Sequence, residues 1–120
     1  MNYIYKIFKS HKRLTFIYKC KSEDAIGYIF KLDNIEGNEV GVWVRKIYDN
    51  NGLCKYSFHF MPYLNSQKEN YKKENYPNIY KKYFDKFYDL HFQDVECTYE
   101  LVDEFIKACD SFTSEIKNTK

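Results

Sequence analysis

Apolar side chains recur at every second position through the first half of this 120-residue chain, and at every third or fourth position through the second half. The first pattern is that of half-buried strands and the second that of amphipathic helices. In Tyr3-Ile4-Tyr5-Lys6-Ile7-Phe8, alternation sets Tyr3, Tyr5 and Ile7 against Ile4 and Phe8 and predicts a first strand. Ser10-His11-Lys12-Arg13 reads as a turn. Leu14, Phe16, Tyr18 and Cys20 form a second alternating set, and Ile26, Tyr28, Phe30 and Leu32 a third. Loop chemistry from Asp33 to Asn38 separates these from Val40, Val42 and Val44, on a strand that also carries Trp43 and Ile47. Asn51-Gly52 suits the positive backbone dihedrals of a tight hairpin, so a strand ending at Tyr48 should be followed by one starting at Leu53. That fifth strand sets Cys54, Tyr56, Phe58 and Phe60 on one face and Lys55, Ser57 and His59 on the other, and Pro62 ends it.

Beyond Pro62 the period changes. Ser66-Gln67-Lys68-Glu69 has the form of a capping box ahead of a short polar helix. Pro77 suits the first turn of a helix. Ile79, Tyr80, Tyr83, Phe84, Phe87, Tyr88 and His91 then give one broad apolar stripe. Thr98 is placed to cap a last helix whose buried face reads Leu101, Val102, Phe105, Ile106, Cys109, Phe112 and Ile116. Residues 92–97 fit either a linker or a further strand. The predicted fold is α+β: a five-stranded antiparallel meander over residues ~2–62, then two or three C-terminal helices packed on one face. Residues 1–120 read as a single domain, with no repeat and no linker long enough to separate independent cores.

Composition changes little of this. Lys, Asn, Ile, Tyr and Phe make half of the chain, whereas Gly, Ala, Arg and Pro together contribute ten residues. An A/T-rich gene produces that bias, so 13 Tyr and 10 Phe beside the lysines are not in themselves a nucleic-acid signature. With 44% hydrophobic residues the chain has ample material for a core, built here from large rings. No apolar run is long enough to span a membrane, and the first residues lack the pattern of a signal peptide, so the expected location is the cytoplasm. Cys20, Cys54, Cys97 and Cys109 include no Cys-x-x-Cys pair, and His11, His59 and His91 do not cluster with them. Buried free thiols are the expectation, with no metal and no cofactor.

Charge is uneven although the net is only +2. Residues 1–21 hold Lys6, Lys9, Lys12, Arg13, Lys19 and Lys21 with no acid. Residues 93–116 hold Asp94, Glu96, Glu100, Asp103, Glu104, Asp110 and Glu115 against Lys107 alone. The two ends are suited to attract each other within the fold, and Lys81, Lys82 and Lys86 to line a solvated helix face.

Three functional readings follow, in order. The first is a small protein–protein interaction module: a stoichiometric inhibitor of the toxin-immunity or phage and mobile-element anti-defence type, occluding a partner's active site. Trp43 and Arg45 lie opposite Val40, Val42 and Val44 and would be displayed on the open side of the sheet. That side is otherwise covered by residues 64–76 or by a second copy of the chain. Asp94, Glu96, Glu100, Asp103 and Glu104 would suit a basic, nuclease-like target or a defence protein. The alternative is a small nucleic-acid-binding regulator using Lys12, Arg13, Lys19 and Lys21, with Phe16 and Tyr18 nearby for stacking. Gly27-Tyr28-Ile29-Phe30 lacks the basic and small residues of the RNA-recognition consensus. Third comes a small enzyme with His59 as general base. No nucleophile elbow, zinc-protease motif or phosphate-binding glycine loop is present, and Cys54 lies on the opposite strand face from His59, so a non-enzyme is expected.

Overall fold

The computed structural model describes residues 2–23, 25–33, 39–46, 54–61, 76–88, 90–91 and 98–118. The predicted first strand is a helix, α1 (Asn2–Ser10). The short run Ile4-Tyr5-Lys6-Ile7-Phe8 satisfies both periods, and tertiary packing decides between them. Ile4 and Phe8, one helical turn apart, are fully buried, Tyr5 and Ile7 flank them half-buried, and Lys6 and Lys9 face solvent. Ser10 closes the helix by donating from its hydroxyl to the Ile7 carbonyl at 2.8 Å.

Four strands of eight residues follow, β1 (Leu14–Lys21), β2 (Ala25–Leu32), β3 (Glu39–Lys46) and β4 (Cys54–Met61). They form an antiparallel meander in chain order. The meander therefore has four strands where five were predicted, because α1 replaces the first. A two-residue strand, β5 (Leu90–His91), pairs with Lys55 and Tyr56 on the free edge of β4. Helix α2 (Pro77–Phe84) carries Pro77 in its first turn and runs into a 3-10 turn (Asp85–Phe87). Helix α3 (Tyr99–Asn118) is capped as predicted, with the Leu101 amide donating to Thr98 Oγ1 at 3.2 Å. The Asn51-Gly52 turn, the 66–69 capping box, the 64–76 cover (apart from Tyr76) and segment 92–97 lie outside the described residues.

The helices pack on one face of the sheet, giving a compact two-layer α+β domain. Phe30, Val42 and Phe58 represent the inward rows of β2, β3 and β4, and Phe8, Phe84, Phe105 and Phe112 bring rings from the three helices. The rings meet edge-on or tilted, as in Phe8–Phe58 (4.8 Å between centroids, 75°) and Phe87–Phe105 (5.2 Å, 71°). A buried hydroxyl chain is satisfied within this core: Tyr88 donates to Tyr80 at 3.1 Å, and Tyr80 donates to the Phe60 carbonyl at 3.0 Å. Burial, reinforced by Tyr88, pushes the Tyr80 phenol far above its ordinary range.

Two local features shape the sheet. The β1–β2 register slips between Phe16 and Tyr18, a bulge centred on Ile17. Leu14 and Phe16 pair with Leu32 and Phe30 on the helix side, whereas Tyr18 and Cys20 pair with Ile29 and Gly27 on the other side. The single alternating set predicted from Leu14 to Cys20 is thus split between two faces. On the outer face, Trp43 is half-buried opposite Gly27, and a Cβ at position 27 would lie 2.7–2.8 Å from the indole ring. Only glycine leaves room for that ring.

Candidate functional site

Helix α3 lies against both α1 and α2, and its acidic flanks meet basic side chains from the rest of the fold. Arg13, in the corner between α1 and β1, places Nη1 and Nη2 on the two Asp110 carboxylate oxygens at 2.6 and 3.0 Å. It also donates to Asp33 Oδ1 at 2.9 Å and to the Asp33 carbonyl at 3.1 Å. The bonds to Asp110 above all, with those to Asp33, raise the guanidinium's already high pKa further. Beside it, His11 is 2% exposed. The Arg13 amide donates to its Nδ1 at 3.2 Å, which fixes the ring hydrogen on Nε2, 3.2 Å from Asp103 Oδ1. Tyr99 stacks on the imidazole at 5.1 Å and 14°. The contact has the outline of a catalytic His–Asp pair, but both ring nitrogens are engaged within the fold, and the group acts as a strut.

Three further acids of α3, Asp103, Glu104 and Glu115, also pair within the fold. Asp103 also holds Lys107 at 3.1 Å, and the bonds from His11 and Lys107 lower its carboxyl below the ordinary value. Glu104 pairs with Lys86, and Glu115 with Lys82 at 3.0 Å, so lysines of the predicted solvated face reach across to α3. Of the residues expected to meet a protein partner, Asp103 and Glu104 are thus engaged internally and Glu100 is exposed. Trp43 sits against Gly27, while Asp94, Glu96 and the Arg45 side chain lie outside the described residues. His59 is half-buried with its ring 4.8 Å from Tyr88, and the Cys54 side chain lies outside the described set. Cys109 is fully buried, and desolvation drives its thiol pKa well upward, so it packs as an apolar group. No cluster of three metal-ligating side chains occurs among the described residues, and no described helix is long and apolar enough to cross a membrane.

The basic beginning of the chain behaves differently. Lys6, Lys9, Lys12, Lys19 and Lys21 are all exposed, and none enters an ion pair among the described residues. Of the four residues singled out for nucleic acid, Lys12, Lys19 and Lys21 belong to this surface, and Arg13 belongs to the internal clasp. Between α1 and the β1 edge lies an open cleft of about 330 Å³, walled by Tyr5, Phe16 and Tyr28 and flanked by Lys6 and Lys19. Tyr5 meets Phe16 edge-on at 5.3 Å and Tyr28 at 4.9 Å. The Lys9 ammonium stands 5.6 Å from the centre of the Tyr5 ring, and that of Lys19 stands 5.9 Å from Tyr28.

The bulge builds this site. Phe16 and Lys19 are three residues apart, which in a regular strand puts them on opposite faces. The extra residue at Ile17 brings Lys19 opposite Tyr28, on the same side as Phe16. Sequence reasoning missed Tyr5 and Lys6 as site residues because it read them as strand residues, and it set Phe16 and Tyr18 on one face, where the fold turns Tyr18 outward and brings Lys19 to the side of Phe16. The signal available was the Ile4/Phe8 spacing, which as a helix places Tyr5 and Lys9 together one turn apart. Comparison of the chain with protein-family models, with curated proteins and with solved structures gives no match.

Proposed function

We propose that this protein is a small nucleic-acid-binding module that engages phosphates through the lysine face of α1 and β1. The observation that carries the reading is the contrast in charge satisfaction. Asp103, Glu104, Asp110 and Glu115 are held in internal pairs, while Lys6 and Lys19 line an aromatic cleft, Lys9 stands over its Tyr5 ring, and none of the three enters an ion pair among the described residues. Unneutralised lysines interleaved with rings supply the two ingredients of sequence-tolerant nucleic-acid binding, phosphate neutralisation and base contact. Fluorescence anisotropy with a labelled oligonucleotide across a salt series tests it. Affinity should fall linearly with salt on logarithmic axes. Replacing Lys6, Lys9 and Lys19 together by Gln should reduce that slope by about 2–3, at roughly 0.7–0.9 per phosphate contact. Salt-independent binding, or a triple variant that binds as the parent does, would refute the reading.

A second reading, the stoichiometric protein inhibitor, is favoured by the start of α3. Tyr99 is 44% exposed there, next to exposed Glu100, an aromatic anchor beside an acid that makes no ion pair among the described residues. Its target would be a basic protein surface of the nuclease type, and it requires Glu100→Lys to weaken a salt-sensitive protein complex.

A further inference from the structure

We infer that the α1–β1 cleft seats one unstacked nucleobase, with Lys6 and Lys19 holding its neighbouring phosphates, so that single strands are preferred to duplex. The inference rests on the nucleic-acid reading and adds to it the form of the ligand. The rings come from three elements, Tyr5 from α1, Phe16 from β1 and Tyr28 from β2, and Tyr5 packs on both of the others, so they stand as one preformed aromatic surface in the cleft against which a base stacks. Tyr28 is 8% exposed, while Tyr5 and Phe16 are half-buried and offer the larger accessible ring area. A cleft volume of about 330 Å³ is on the scale of one nucleotide.

Among the described residues no acid lines the cleft, and its two charged residues are both ammonium-bearing, so the lining complements a ring that carries phosphate. β1 is an edge strand, which leaves the mouth approachable along the sheet margin by an extended chain. In a duplex the base is already stacked and paired, and extruding it costs about what one aromatic contact returns. Duplex is therefore left with the lysines alone, whereas a single strand uses lysines and slot together.

The test compares the full chain with Tyr5→Leu and Phe16→Leu, which keep apolar bulk and net charge. Anisotropy is measured with an oligothymidylate of about 12 nucleotides and with a duplex of equal length, at fixed salt. A preference for the single strand of about 10-fold is expected, which either Leu variant should largely abolish while leaving duplex affinity unchanged. Unchanged duplex binding also shows that the variants are folded. Equal affinity for both forms, or variants that weaken both alike, would overturn the base slot and leave the phosphate-binding reading standing. In parallel, thymidine 5′-monophosphate and ribose 5-phosphate are titrated by NMR. Shifts at Tyr5, Phe16 and Tyr28 with the nucleotide alone support the slot even if no oligonucleotide binds. In that case the polymer reading fails and the ligand is a free nucleotide. If neither the oligonucleotides nor the mononucleotide binds, both the slot and the phosphate-binding reading are refuted.

Discussion

The lysine-rich surface of α1 and β1 and the acidic flanks of α3 begin as mirror images in the sequence, each a run of one sign with almost no opposite charge. Folding treats them differently. Helix α3 crosses the domain between the α1–β1 corner and α2, so its carboxylates find Arg13, His11, Lys82 and Lys86. The lysines of α1 and β1 are exposed and enter no ion pair among the described residues. The lesson is that a charge run marks a binding surface only if the fold leaves it unspent, which depends on what packs beside it.

Removing the clasp should break this contrast most strongly. Arg13→Met strands Asp110 and Asp33 without their shared guanidinium, and loss of about 1–2 kcal/mol is expected in urea unfolding. The half-exposure of both aspartates keeps the figure at this level rather than that of a buried pair. A variant as stable as the parent would show that the pairing is incidental.

Acid should erode the same side by a smaller amount. The Asp103 carboxyl is lowered chiefly by its bond from His11 and then by Lys107. A depressed carboxylate stabilises the fold above its unfolded value, and that contribution is lost as pH falls through the folded value, so the window opens near about pH 4 and extends downward. Asp103→Asn keeps an oxygen for His11 Nε2 and removes the titration. Its urea midpoint should fall less than the parent's between about pH 5 and about pH 2.5. Identical slopes would remove Asp103 from the acid response.

The lysine side should give the smallest change in stability. Lys9→Ala is expected to alter unfolding free energy by no more than about 0.5 kcal/mol while weakening oligonucleotide binding. A stability loss matching that of Arg13→Met would mean that the two regions are alike after all.

Much of the architecture was legible. The β2, β3 and β4 alternations, the Pro77 and Thr98 helix starts and the Val102-to-Ile116 stripe all appear where their periods place them, because long or strongly punctuated patterns leave one solution. The N-terminal helix was not legible, since five apolar residues within Tyr3 to Phe8 satisfy alternation and helical spacing alike. The bulge was also hidden: alternation runs unbroken from Leu14 to Cys20, and only the partner strand's register shows the slip at Ile17. The candidate site depends on both features, so its charges were visible in the sequence and its shape was not.

The tight seat of Trp43 over Gly27 also makes the molecule self-reporting. This is the only tryptophan of the chain, and it lies on the side of the sheet away from Phe16, Tyr28 and the helices. Its emission therefore belongs to the outer face, whereas Tyr5 and Tyr28 at the cleft lie on the other. A ligand that quenches tyrosine and leaves the indole untouched has bound away from the outer surface around Trp43, as one in the α1–β1 cleft would. One that shifts the indole has come from behind the sheet, and the protein distinguishes the two without a label.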